Sequence, residues 1–294
     1  MDTQPTEPLE RQLISIMAQN REDAYGTQRK RFYELRAAGN LIKGEFGLQK
    51  WDNLKEKHVE FLVEHWKSKH EGNRTLDQKL THFRWLLGKI GKPILLPRRN
   101  VELGITPGPR YTRQGKIVLD SQLKEALERL TDPRIRAAAL LARYVCLRFE
   151  EASHLRPWRD WQDDRVWVKR GTKGGRPRYL FLHNPKQREV LELARSLASW
   201  DNCLIPRDFA TFEEWRQYAY RELKKAGISR ATDRTFHDLR RTYIVERVHA
   251  LVQRGLDPAR AAALVAREAG HSRVEILEWY LADFPELMGG SAAA

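Results

Sequence analysis

The sequence predicts a mainly α-helical chain with one small β-sheet, an α+β protein in two parts, and three observations carry that prediction. Apolar residues recur at helical spacing along most of the chain, and several of the runs open on a capping residue or a proline. Two strand-like runs flank a single glycine-rich turn. Between residues 97 and 116 periodicity gives way to Pro, Gly and Arg, which reads as a linker between a helical domain (1–96) and a second domain (117–294). The chain has 294 residues, 41% of them hydrophobic, enough for a core in each part.

Residues 8 to 20 form an amphipathic helix through Leu9, Leu13, Ile16 and Met17. A second helix runs from Tyr25 to about Ala38, stopped by Gly39-Asn40, with Arg29, Lys30, Arg31 and Arg36 on a solvated face. Trp51 to about His70 repeats apolar residues at helical spacing, and a further helix opens at a Thr75-x-x-Gln78 capping box and ends at Gly91-Lys92-Pro93. That last helix sets Lys79, Arg84 and Lys89 among Phe83, Trp85, Leu86 and Leu87. One face suits a bundle and the other suits phosphates. Arg98 and Arg99 add charge in the linker.

The second domain starts with a helix near Ser121 to Leu130. Asp132-Pro133 then supplies an N-cap and a first-turn proline for an apolar helix to about Leu147. Val166 to Lys169 and Tyr179 to Leu182 form a hairpin around Gly171-Thr172-Lys173-Gly174-Gly175, with Lys173 at its tip and Arg170, Arg176 and Arg178 placed to line phosphates if the hairpin enters a groove. Asn184-Pro185 caps a helix to about Trp200, and Thr211-x-x-Glu214 starts another. Gly255 and Asp257-Pro258 divide the helices that follow, and Ser272 with Glu275 opens a short terminal helix.

The formal charge is +14, with +6 in residues 1 to 110 and +8 in the remainder, so both parts are basic and a polyanion touching both is expected, nucleic acid above all. No apolar run approaches 18 residues and no leader pattern is present, so neither membrane insertion nor secretion is expected and the protein is read as intracellular. Cys146 and Cys203, without paired spacing, read as reduced, and Cys146 as core.

Chemistry concentrates between Thr235 and Leu281. His237 and Arg240 stand three residues apart on one helix face, and Gly270-His271 is followed nine residues later by Tyr280. Tyr243 on the same helix reads as packing. These groups suit phosphoryl chemistry. Fixed guanidinium forks meet charge gathering on non-bridging oxygens, while a phenol of pKa about 10 needs a proton acceptor to attack at neutral pH.

His-x-x-Arg, Gly-His and a tyrosine nine residues on resemble the signature of the tyrosine recombinase (phage integrase) family, clearly from about residue 115 to 283. The resemblance implies a helical core-binding domain and a mixed α/β catalytic domain closing as a clamp on duplex DNA. It assigns Arg148 and Glu151, in Cys146-Leu147-Arg148-Phe149-Glu150-Glu151, to the first catalytic box, and Lys173 to the catalytic hairpin lysine, with Lys169 as the alternative. In this scheme Tyr280 attacks phosphorus, His237 accepts its proton, His271 donates to a non-bridging oxygen, Lys173 protonates the leaving 5′ oxygen, and Glu151 orients Arg148 or His237.

The expected reaction is transesterification through a 3′-phosphotyrosyl link with no metal or nucleotide cofactor. The sequence shows neither a P-loop nor a carboxylate cluster for two Mg²⁺ ions. The family implies a homotetramer on two duplexes, with accessory bending or directionality factors as further partners. The segment after Tyr280 is too short to supply a long docking helix. Three alternatives stand beside this: a metal hydrolase using His237, Asp238 and His271, a non-cleaving DNA-binding factor of the same fold, and a nicking topoisomerase of type IB chemistry.

Overall fold

The computed structural model describes residues 7–106, 117–199, 202–232 and 234–271, and beyond these Val274, Leu277, Tyr280, Leu281, Asp283, Phe284 and Leu287. The chain divides into two compact units, Met1–Thr112 and Arg113–Ala294. Most of the linker (107–116), the Ser272-Glu275 box and the tail from residue 288 lie outside the described residues.

The first unit is a helical bundle of α1 (Pro8–Gln19), α2 (Tyr25–Phe46), α3 (Glu56–Ser68) and α4 (Asn73–Lys89), closed over a core that includes Leu13, Ile42, Trp51, Leu62, Leu80 and Leu86. Three expectations fail here. Helix α2 does not stop at Gly39-Asn40 but continues to Phe46, because the glycine serves packing: a Cβ on Gly39 would lie 2.9 Å from the Trp51 ring. The start of α4 is at Asn73, ahead of the Thr75 box, and residues Trp51–Asn53 form a separate 3-10 turn.

Charges expected on a solvated face are also partly internal. Arg31 is buried, bonded to Asp23 at 2.5 Å and stacked 4.2 Å from the Trp85 ring centroid, an arrangement suited to a planar guanidinium.

In the second unit α5 (Asp120–Arg129) leads to α6 (Pro133–Val145), whose N-terminus is capped as expected by Asp132, accepting from the backbone of Arg134 at 2.8 Å. Helix α6 is the centre of the unit, packing against α9 (Pro185–Leu197) and α11 (Phe236–Gln253). Its fully buried Ala137, Ala138, Ala139 and Ala142 let neighbouring helices approach closely. Arg143 joins three helices by pairing with Asp120 at 2.9 Å and Glu246 at 2.7 Å.

Short helices α7 (Phe149–His154) and α8 (Pro157–Asp160) follow α6 and lead into an antiparallel sheet of β1 (Trp161–Gln162), β2 (Arg165–Val168) and β3 (Arg178–Phe181), in that order. The expected hairpin is β2–β3, in register from Arg165 opposite Phe181 to Val168 opposite Arg178. Strand β1 is too short to show alternation in sequence. Helices α10 (Phe212–Lys225) and α12 (Pro258–Glu268) complete the unit, capped by Thr211 and Asp257. Among the described residues no helix is long and apolar enough to cross a membrane.

Candidate active site

Helix α6 ends because Cys146 adopts a left-handed conformation at φ 59°, which turns the chain and aims its carbonyl at the neighbouring α11. Arg148 thereby becomes the residue before α7, and its backbone N–H donates to Glu151 at 2.8 Å while its Nη1 donates to the same carboxylate at 2.7 Å. An arginine and an acid three residues apart thus meet at a helix start.

Arg240 enters from the second turn of α11, almost wholly buried. Its Nη1 donates to the Cys146 carbonyl at 2.8 Å and lies 3.5 Å from Glu151, and its Nη2 donates to the Ala269 carbonyl. With two carbonyls on its fork the guanidinium has one orientation, and its Nε has no hydrogen-bond partner among the described residues.

The turn after α12 brings in His271. The N–H of Gly270 donates to Arg267 at 2.9 Å and that of His271 to Ala266 at 2.8 Å, the paired bonds of a Schellman ending with Gly270 at φ 67°. His271 Nε2 then stands 3.5 Å from Arg240 Nη2. Tyr280 is 2% exposed, and its hydroxyl and His237 Nε2 are 2.5 Å apart. The tyrosine backbone is held by Arg241, which donates to the Tyr280 carbonyl at 2.9 Å and to Asp283 at 2.8 Å.

Electrostatics follow from this crowding of guanidinium groups. Desolvation by the surrounding protein lowers the His237 imidazole to about 4, aided by the charges of Arg240 and Arg148, although the residue is exposed on one side of the site. Burial and the same arginines bring His271 down to about 3. Both rings are neutral at pH 7, so His237 can accept a proton. Burial pushes the Glu151 carboxyl up, but the Arg178 bonds and the charges of Arg178, Arg240 and Arg148 prevail and hold it at about 2.

A cavity of about 350 Å³ opens beside this centre, bordered by Arg148, Lys173, His237 and Arg240. The sequence-derived set therefore converges on one place. Lys173 is exposed at the hairpin tip on the cavity wall, whereas Lys169 is drawn to Asp160 at 3.5 Å. Tyr243 is buried with its hydroxyl 3.4 Å from Glu268, and Asp238 turns back to the Thr235 backbone at 2.6 Å. Among the described residues no group of three or more His, Cys, Asp or Glu could hold a metal ion.

The residues expected on phosphates are more divided. Arg98, Arg99 and Arg176 are exposed. Lys79 pairs with Glu71 at 2.5 Å, Lys89 with Glu22, and Arg170 with Asp160 at 3.0 Å. Arg84 is occupied internally, its fork on the Pro97 carbonyl at 3.1 and 2.9 Å. Arg178 differs most from expectation, since its guanidinium is turned inward onto Glu151. Strand parity carried that signal, because Arg178 shares a face with buried Leu180 while Tyr179 and Phe181 point out. Nothing in the sequence marked Arg241.

The sequence family described as Integrase matches residues 110–246, and that described as Phage integrase, N-terminal, matches residues 7–96. No curated protein matches the chain. Among solved structures, a lambda integrase dimer bound to a COC′ core site aligns with a TM-score of 0.65 at 14% identity, over 92% of this chain and 75% of that one. The XerH site-specific recombinase in a post-cleavage complex aligns at 0.60 and 15%, over 95% and 82%. The Tn1549 transposon integrase with transposon right end DNA aligns at 0.60 and 13%, over 92% and 93%. These likenesses establish a shared fold. The two integrase matches lie in chain order, one in each unit, and together span most of the 294 residues, so the chain belongs to the tyrosine recombinase (phage integrase) family.

Proposed function

We propose that the protein is a site-specific DNA recombinase that cleaves and rejoins DNA by transesterification through Tyr280. The observation that carries this reading is the 2.5 Å contact of the Tyr280 hydroxyl with a neutral His237, beside two arginines anchored on one carboxylate. Neutral imidazole takes the phenolic proton as the oxygen attacks phosphorus. Arg148, its side chain 19% exposed, turns to the non-bridging oxygens, with Arg240 fixed behind it. The neutral His271 donates a further hydrogen bond, and Lys173 protonates the departing 5′ oxygen.

The bond to the 5′ oxygen breaks as the bond to Tyr280 forms, leaving a 3′-phosphotyrosyl link and a free 5′ hydroxyl. Attack by the 5′ hydroxyl of a partner duplex reverses the step and returns the proton to Tyr280. Bond energy is conserved, so no nucleotide is consumed. Two duplexes and a homotetramer on DNA complete the exchange, a proposal in keeping with the lambda integrase tetramer bound to a Holliday junction, a related fold. Such a protein acts in the cytoplasm on the nucleoid.

The test is a nicked suicide substrate built on DNA from the flanking genomic locus. Wild-type protein should become covalently attached through a 3′ phosphate, and Tyr280→Phe should bind equally well without attachment. Persistent attachment by Tyr280→Phe excludes this nucleophile.

A further inference from the structure

Glu151 is surrounded by three guanidinium groups, and the chemistry above uses only two of them. Arg178 reaches it from β3 with Nη1 on Oε1 at 2.8 Å and Nη2 on Oε2 at 2.9 Å, the parallel two-bond fork. Its Nε donates to the Glu268 carbonyl at 2.8 Å, at the end of α12. A Cβ on Gly270 would come within 2.9 Å of Arg178 Nη1, so the turn before His271 is shaped against this side chain. Each of its three nitrogens is engaged inside the protein, and the side chain is 9% exposed.

We propose that Arg178 is a positioning residue for strand cleavage: it occupies both oxygens of Glu151 so that Arg148 can leave for the phosphate, and it fixes the turn that presents His271. The inference rests on the Tyr280 reading. Arg148 shares Oε1 with Arg178, at 2.7 Å, and is the more exposed of the two. Without Arg178, the nearest remaining partner of the carboxylate besides Arg148 is Arg240 at 3.5 Å. Arg148 would then be held captive, since releasing it would leave a buried charge poorly paired. Lysine cannot replace the fork, because one ammonium does not span two carboxylate oxygens and a carbonyl.

Among the described residues, Arg148 reaches Glu151 from the start of α7, Arg240 from α11 and Arg178 from β3, the Cys146 thiol interacts with it from the bend after α6, and His271 lies beyond Arg240. Glu151 at about 2, His271 at about 3 and His237 at about 4 all titrate below the working range. Removing Arg178 deprives Glu151 of its strongest partner and relieves His271 of a positive neighbour, so both rise and a second substitution at Glu151 separates them.

The test is single-turnover cleavage of the suicide substrate from about pH 5 to pH 8. Arg178→Lys, which retains the charge, should lose roughly 10²-fold in rate, the scale of a misplaced catalytic group, at unchanged DNA affinity. Arg178→Met should in addition acquire an acid limb, its rate recovering as pH drops toward 5, because a protonated Glu151 no longer holds Arg148. That limb should vanish in Arg178→Met/Glu151→Gln if Glu151 is the group that titrates. A wild-type rate in Arg178→Lys, a loss uniform across pH in Arg178→Met, or a limb that survives Glu151→Gln overturns the proposal. Should Arg178→Met fail to fold, the rate and affinity of Arg178→Lys decide. Absence of Tyr280-linked DNA with wild-type protein would sink the underlying reading, and the proposal with it.

Discussion

A histidine kept neutral by burial and positive neighbours makes the protein's stability depend on pH in a fixed direction. His237 and His271 have folded values of about 4 and 3 against an ordinary 6.5, so the unfolded chain binds more protons between those limits. Stability should therefore fall as pH drops below 6.5, with Glu151 adding its own loss between 4.5 and about 2. Thermal unfolding across this range checks it, and His271→Gln should flatten the upper part of the curve. At neutral pH the arginines beside these residues bear on rate. Arg148→Ala and Arg240→Ala should each slow cleavage by roughly 10²-fold or more, the scale of one lost preorganised donor. A normal single-turnover rate would remove that arginine from the centre.

Helices and turns determine whether those residues meet, and their legibility in sequence differed. Asp132, Asn184, Thr211 and Asp257 announce their helices because a short side chain accepts from the first backbone N–H groups, a local event. Gly39 misleads, since its role is set by Trp51, twelve residues away and contributed by another element. Gly39→Ala should destabilise the protein by about 1–3 kcal/mol through overpacking, despite alanine's better helix propensity, as denaturant melts would show. Arg241 was silent for a similar reason, its partners Tyr280 and Asp283 lying some forty residues on. Arg241→Ala should loosen the tyrosine segment and reduce cleavage roughly 10-fold or more without weakening DNA binding, a separation that parallel rate and affinity measurements test.

At the scale of the whole chain, the excess of positive charge was readable, because net charge is a sum that tolerates local error. The destination of each cation was not readable. Arg84, Arg178 and Arg31 are enlisted internally, while Arg98, Arg99 and Arg176 remain at the surface. DNA affinity should still fall steeply with salt, since a chain of charge +14 displaces many counterions; a flat response from low to moderate ionic strength would contradict a phosphate-tracking interface.

The shelter around Tyr280 has a bearing on how such an enzyme behaves between encounters. A phenol 2% exposed, with its oxygen already against His237, is withheld from solvent and from stray backbones alike. On the proposed chemistry, attack would wait for a duplex that draws this oxygen out of its shelter, so that recognition would be the trigger of reactivity.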